Sequence, residues 1–200
     1  MNKMSKKSEE ERLPPGQRAI ERILRWGEDH PSISGFIPSI DLKTWTLTID
    51  GEVERPLKLS WDEFAKLPMI TSVSDFHCVE GWSVFGCRWD GVLFRTVLDL
   101  VKSKISARYV TFECEDSYTT SLSIEELLGD NVLLACKLDG KVLEQGLGFP
   151  VRLVVPDKYA YKSALWVRRI IFTIQKELGF WEKRGYSDTA DVWKNDRFTE

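Results

Sequence analysis

In "TWTLTIDG", Trp45, Leu47 and Ile49 alternate with Thr44, Thr46 and Thr48. Only an extended strand puts these three large apolar side chains on one face and the three hydroxyls on the other. Asp50-Gly51 then turns the chain. The same signs recur downstream. "TSVSDFHCV", "ARYVTFEC", "VRLVV" and "WVRRIIFTI" read as strands, and Val110, Phe112 and Cys114 share one side of theirs. "NVLLACKLDGKVL" reads as a hairpin whose Asp139-Gly140 pair suits a type I′ turn. Helical signals are short. Ser60 with Glu63 is a capping-box pair that opens about two turns of helix before Pro68, and Ser123 with Glu126 repeats it. "RTVLDLVK" places Val97, Leu98 and Val101 on one face, and "QRAIERILRW" predicts a short amphipathic helix. Strands outnumber helices, and hairpins mix with longer connections. This predicts an α+β fold with mixed β-sheets and short flanking helices.

The 200 residues, with eight tryptophans and ten phenylalanines, are enough for one sizeable core. A single domain is expected over 14–200, preceded by a mobile charged tail over 1–13, with the aromatic C-terminal stretch wrapped over the body. Charges nearly cancel to a net −3, which excludes a general attraction to nucleic acid or to an anionic membrane. "MNKMSKKSEEERLPPGQ" has no apolar signal core, and no later segment reaches membrane-spanning length, so the expected location is the cytoplasm. The four cysteines, at 78, 87, 114 and 136, show no CxxC spacing and read as free thiols in a reducing compartment.

Cys78 lies in "SDFHCVEGWS", between His77 and a nearby Glu80. A nucleophile activated by His77 would need a bend, because neighbours on a strand point to opposite faces. Zinc would need three or four close ligands, and His77, Cys78 and Glu80 do not supply that pattern. A single thiolate holding a redox metal, with the remaining ligands supplied by a cofactor, is consistent with the residues, and so is a plain core thiol. The local chemistry leaves these two open.

"DFHCVEGWSVFGCRWDGVLFRTVLDLV" resembles the molybdopterin-binding oxidoreductase domain of the sulfite oxidase family, in which a cysteine at this place is the molybdenum ligand. "ARYVTFECEDSYTTSLSIEELLGDNVLLACKLDG", "GFPVRLVVPDKYAYKSALWVRRIIF", "GFWEKRGYSDTADVW" and the early "LPPGQ" follow the compact bacterial and archaeal members in order and spacing. The resemblance runs from about Leu13 to the end of the sequence. It implies Cys78 as the thiolate ligand and a molybdenum–molybdopterin cofactor whose dithiolene adds two sulfurs to the metal. It also matches Arg152, Lys162, Ser163 and Ala164 to cofactor-binding positions, the first able to grip phosphate bidentately and the second as a point charge. Cys114 falls on a pterin-contact position of related sulfoxide reductases, and His77 either reaches the pterin or fixes the chain locally. Leu147, Leu165 and Ser187 stand where relatives often carry polar residues.

The activity implied is two-electron oxygen-atom transfer on a small sulfur- or nitrogen-containing substrate: sulfite, a sulfoxide or an N-oxide. A separate protein would exchange the electrons. The rival expectation, motivated by Leu147 and Leu165, is a pterin-binding or protein-interaction domain on the same fold without catalysis.

Overall fold

The structure, a computed structural model, describes residues 12–199. Its strands are β1 (Arg18–Ala19), β2 (Thr46–Gly51), β3 (Leu57–Ser60), β4 (Met69–Cys78), β5 (Trp82–Leu93), β6 (Tyr109–Cys114), β7 (Thr119–Ser123), β8 (Leu133–Leu138), β9 (Lys141–Val142), β10 (Arg152–Val154) and β11 (Val167–Thr173). Three short helices interrupt them: α1 (Trp61–Phe64), α2 (Phe94–Val101) and α3 (Ile124–Leu127). One sheet runs β3-β2-β11-β6-β7, with β2 and β11 parallel and the other pairs antiparallel. The other runs β1-β5-β8-β10, with β4 paired to β5 and β9 to β8. Both sheets are mixed, as expected.

Local sequence explains most elements. Both capping boxes form, Ser60 with Glu63 and Ser123 with Glu126, although each opens a single helical turn. Asp139 and Gly140 both take positive φ, 51° and 78°, as a type I′ turn requires. Trp45, Leu47 and Ile49 enter the main core with Phe94, Phe112 and Phe172. A second core gathers Ile23, Phe76, Trp82, Trp89 and Leu133.

Two expectations are corrected. "QRAIERILRW" is not helical: β1 pairs in parallel with β5 at Trp82 and Ser83, and Ile23 is buried in the second core. The open edge of β5 offers this segment hydrogen bonds and an apolar surface together, which outweigh a modest local helix propensity. The charged tail expected over 1–13 lies outside the described residues up to position 11, but Arg12 belongs to the body. Its guanidinium grips both carboxylate oxygens of Asp75, at 3.0 and 3.1 Å, and covers the Phe85 ring.

Candidate molybdopterin site

Cys78 ends β4, and the turn through Gly81 returns the chain into β5. The Gly81 N–H donates to the Cys78 carbonyl at 3.0 Å with φ at 94°, a left-handed value that favours glycine. Alternation along β4 then decides what each side chain meets. His77 points away from Cys78, buried against Trp193, with Nδ1 2.8 Å from the Ser83 hydroxyl. Burial lowers its pKa, and it fixes the chain instead of reaching the cavity. Cys78 lines a cavity of about 160 Å³, walled also by Phe76, Trp82, Arg152 and Tyr161. Burial pushes its thiol up to about 12. A metal cation on the sulfur is what would hold it as thiolate.

Two donors converge on Glu80 Oε2, the Trp82 indole at 3.1 Å and the Cys78 thiol at 3.8 Å, while His30 Nε2 lies 3.2 Å away without hydrogen-bonding it. Arg152 projects from β10 into the same cavity and is 2 % exposed. Nη1 donates to the Leu147 carbonyl at 3.0 Å and Nη2 to the Ser163 carbonyl at 3.2 Å, but Nε is buried without an acceptor. The guanidinium lies over Phe76 and Trp89, and burial draws its pKa down to about 10. Gly148 makes this approach possible: at φ 105°, a side chain there would meet the Cβ of Arg152 at 2.9 Å and of Leu165 at 2.8 Å.

Ser163 and Ala164 line the cavity, and the Ser163 hydroxyl accepts the Val155 N–H at 3.0 Å. Trp166 follows with a φ of 64°, rare for a bulky residue, and its indole donates to the Gln145 carbonyl at 2.8 Å. Such a backbone costs about 1–3 kcal/mol and persists where the surroundings over-determine it.

Besides His77, two sequence-predicted residues lie elsewhere. Cys114 is sealed in the main core with Val110 and Phe112, as the alternation of β6 dictates. Lys162 is fully buried, and Nζ faces Glu182, with which it forms a close ion pair, the Ser121 carbonyl at 3.1 Å and Asp188 at 3.3 Å. A lysine so enclosed meets its charge requirement inside the protein and is not a phosphate clamp. It fastens the C-terminal segment that carries Trp181 and Tyr186 onto the cavity wall. Lys162→Met is therefore expected to lower unfolding free energy by about 3–5 kcal/mol in urea denaturation, because it strands the Glu182 carboxylate. Lys162→Met with Glu182→Leu should recover part of that loss.

His30, Asp116, Trp166, Trp181 and Tyr186 were not singled out from the sequence, yet all line the cavity. The two groups nearest to a signal are the second of only two histidines and the acidic pair before Ser117.

The cofactor fits these residues. Among the described residues no group of three or more His, Cys, Asp or Glu could hold a metal ion, so a metal on Cys78 must draw its other ligands from a cofactor. Arg152 is a buried cation with an unused donor, suited to an anionic group, and aromatic walls suit a flat ring system. A mixed-sheet domain with one cavity thiol and one unpaired cation defines a protein that binds a metal through an organic cofactor.

The chain belongs to the oxidoreductase molybdopterin binding domain family, whose model matches residues 34–181. It is 38% identical over 159 residues to the oxidoreductase YuiH of Bacillus subtilis, covering 80% of each chain. It is 34% identical over 151 residues to a putative protein-methionine-sulfoxide reductase subunit, YedZ1, of Azospira oryzae, covering 76% of this chain and 57% of that one. The catalytic subunit MsrP, a protein-methionine-sulfoxide reductase of Campylobacter jejuni, is 30% identical over 167 residues, with coverages of 75% and 56%. The chain thus spans little more than half the length of these two reductases. The sulfane dehydrogenase SoxCD of Paracoccus pantotrophus shares the fold, with a TM-score of 0.66 at 21% identity over 76% of this chain and 43% of that one. The protein is a molybdopterin-dependent oxidoreductase of the sulfite oxidase type.

Proposed function

We propose that the protein reduces a sulfoxide by oxygen-atom transfer, with methionine sulfoxide as the substrate class. The observation that carries this reading is the character of the cavity around Cys78. Ile33, Trp26, Trp181 and Tyr186 line it, and Arg152, the one arginine among its described lining residues, is assigned to the cofactor. Such walls suit a neutral sulfoxide and its thioether product better than the anion sulfite, which would demand cations near the metal. Two similar proteins carry methionine sulfoxide in their names, which agrees with this reading.

When bound, the cofactor supplies two-electron oxygen-atom exchange. Cys78 would hold its metal as thiolate, and Arg152 an anionic part of the cofactor. Reduction consumes two electrons and two protons, converting the sulfoxide to thioether and water. Asp116, on the cavity wall with Oδ1 accepting the Tyr118 N–H at 3.1 Å, has its pKa raised by burial and so retains a proton more readily than an exposed carboxyl. A separate donor protein would deliver the electrons. Its compartment is proposed to be the cytoplasm, and the four free cysteines support a reducing environment.

The test is turnover by the loaded enzyme with a reduced viologen dye. Methionine sulfoxide is expected to be consumed. The rate should fall as pH rises through the raised Asp116 pKa, and Asp116→Asn should lower it about 100-fold. Sulfite oxidation without sulfoxide reduction would overturn the assignment.

A further inference from the structure

The turn that carries Cys78 is held by two other parts of the chain. The Cys78 carbonyl accepts the Gly81 N–H and the Gln17 amide Nε2, both at 3.0 Å. The next carbonyl, that of Val79, accepts Nη1 of Arg197, and Nη2 of the same guanidinium donates to the Gly16 carbonyl at 3.0 Å. One side chain of the C-terminal segment thus ties the Cys78 turn to the stretch before β1.

The backbone around this guanidinium leaves room for it and little else. Gly16 and Gly81 take φ of 70° and 94°, and a side chain at Gly16 would meet Nη2 of Arg197 at 3.0 Å. At Gly81 it would meet the Gly16 carbonyl oxygen, the acceptor of Nη2, at 3.2 Å. Arg197 is aimed by Asn195, whose Oδ1 accepts Nε at 2.8 Å, and by the Tyr159 ring, whose centroid lies 5.3 Å from the guanidinium carbon. Tyr159 is fully buried, and its hydroxyl donates to the same Asn195 Oδ1 at 3.2 Å. The acceptors on Val79, Gly16 and Asn195 are all neutral, so they leave the positive charge uncancelled.

From these contacts we infer that Arg197 is a positioning residue for the metal thiolate: it fixes the peptide that follows Cys78 and brings a positive charge to the turn that carries the sulfur. Two effects follow. With the carbonyls of Cys78 and Val79 both held, the backbone that leaves Cys78 is fixed, and the direction of its side chain with it. The guanidinium also favours thiolate over thiol, against the Glu80 carboxylate, whose charge acts the other way. By the same Coulombic argument it favours the reduced metal, which carries less positive charge. The inference rests on Cys78 as the metal ligand and is independent of which substrate is reduced.

The test uses the loaded enzyme and follows molybdenum content, the pentavalent-molybdenum resonance and the midpoint potential of the metal beside turnover. Arg197→Met is expected to load molybdenum within about twofold of wild type, because Arg152 is untouched, and to lower turnover about tenfold, the low end of what losing an outer partner of a metal ligand costs. Its midpoint potential should fall, and its resonance should divide into more than one species. Arg197→Lys should return the potential toward wild type yet keep the mixed resonance, since an ammonium does not span two carbonyls as the planar fork does. A purely structural arginine would change loading and stability while moving neither the potential nor the resonance of the molecules that load. If Arg197→Met folds poorly, Asn195→Gly releases Nε at a position whose φ of 54° glycine adopts without strain, and should give the same mixed resonance. A resonance and potential identical to wild type in every variant that loads would overturn the role of Arg197 alone. A wild-type resonance without thiolate character would overturn the Cys78 assignment and this inference with it.

Discussion

Cys78→Ser is expected to yield a folded protein that retains pterin, loses the thiolate character of its pentavalent-molybdenum resonance and turns over substrate at a small fraction of the wild-type rate. The loss should exceed the 10- to 100-fold typical of removing an outer partner of a metal ligand, because the ligand itself is replaced. Cys78 lines the cavity, and no cluster of three or more His, Cys, Asp or Glu among the described residues offers a substitute. Serine is nearly isosteric, and its hydroxyl can donate to Glu80 in place of the thiol, so folding should hold. Electron paramagnetic resonance and steady-state turnover check the result. Full activity in this variant would remove Cys78 from its assigned role.

The second large effect is expected at Arg152. Arg152→Met should deplete the purified protein of pterin and molybdenum, yet leave the stability of the apo form within about 2 kcal/mol of wild type. Two terms oppose each other. Methionine relieves the burial of a cation whose Nε has no acceptor, but it strips donors from the Leu147 and Ser163 carbonyls. A purely structural arginine would give the reverse pattern, a destabilised protein that still binds cofactor when folded. Urea denaturation together with pterin fluorescence after oxidation separates the two.

The residues that sequence reasoning reached, and those it missed, divide along physical lines. Alternation identified β2, which buries only one face, and β6, whose Val110, Phe112 and Cys114 share the core face although Thr111 opposite is buried too; the capping boxes and the Asp139-Gly140 turn are local chemistry that any context preserves. β5 was not read as a strand. It is buried on both sides over Trp82, Ser83 and Val84, so its period of two is confined to the stretch from Gly86 to Gly91, which two glycines bound. At Gly91 the crossing strand is so close that a side chain would meet the Leu134 carbonyl oxygen at 2.3 Å.

The site divides in the same way. Cys78, Arg152, Ser163 and Ala164, candidates from contiguous motifs, are brought by the fold to the wall of one cavity. Lys162 reads as a free cation because its partner, Glu182, lies twenty positions on and meets it only in the fold. Cys114 and His77 were candidates by proximity in sequence, and strand alternation turns both away from the cavity. His30 carries no local signal. It comes within 3.2 Å of Glu80 only because the segment that follows β1 lines the cavity.

Metal and pterin analysis of protein made in a host competent for molybdenum cofactor synthesis tests the assignment most directly. Equimolar molybdenum and pterin are expected in the wild-type chain, and loss of both in Arg152→Met. A folded wild-type chain carrying neither, from a host in which another member of the family loads normally, would contradict it.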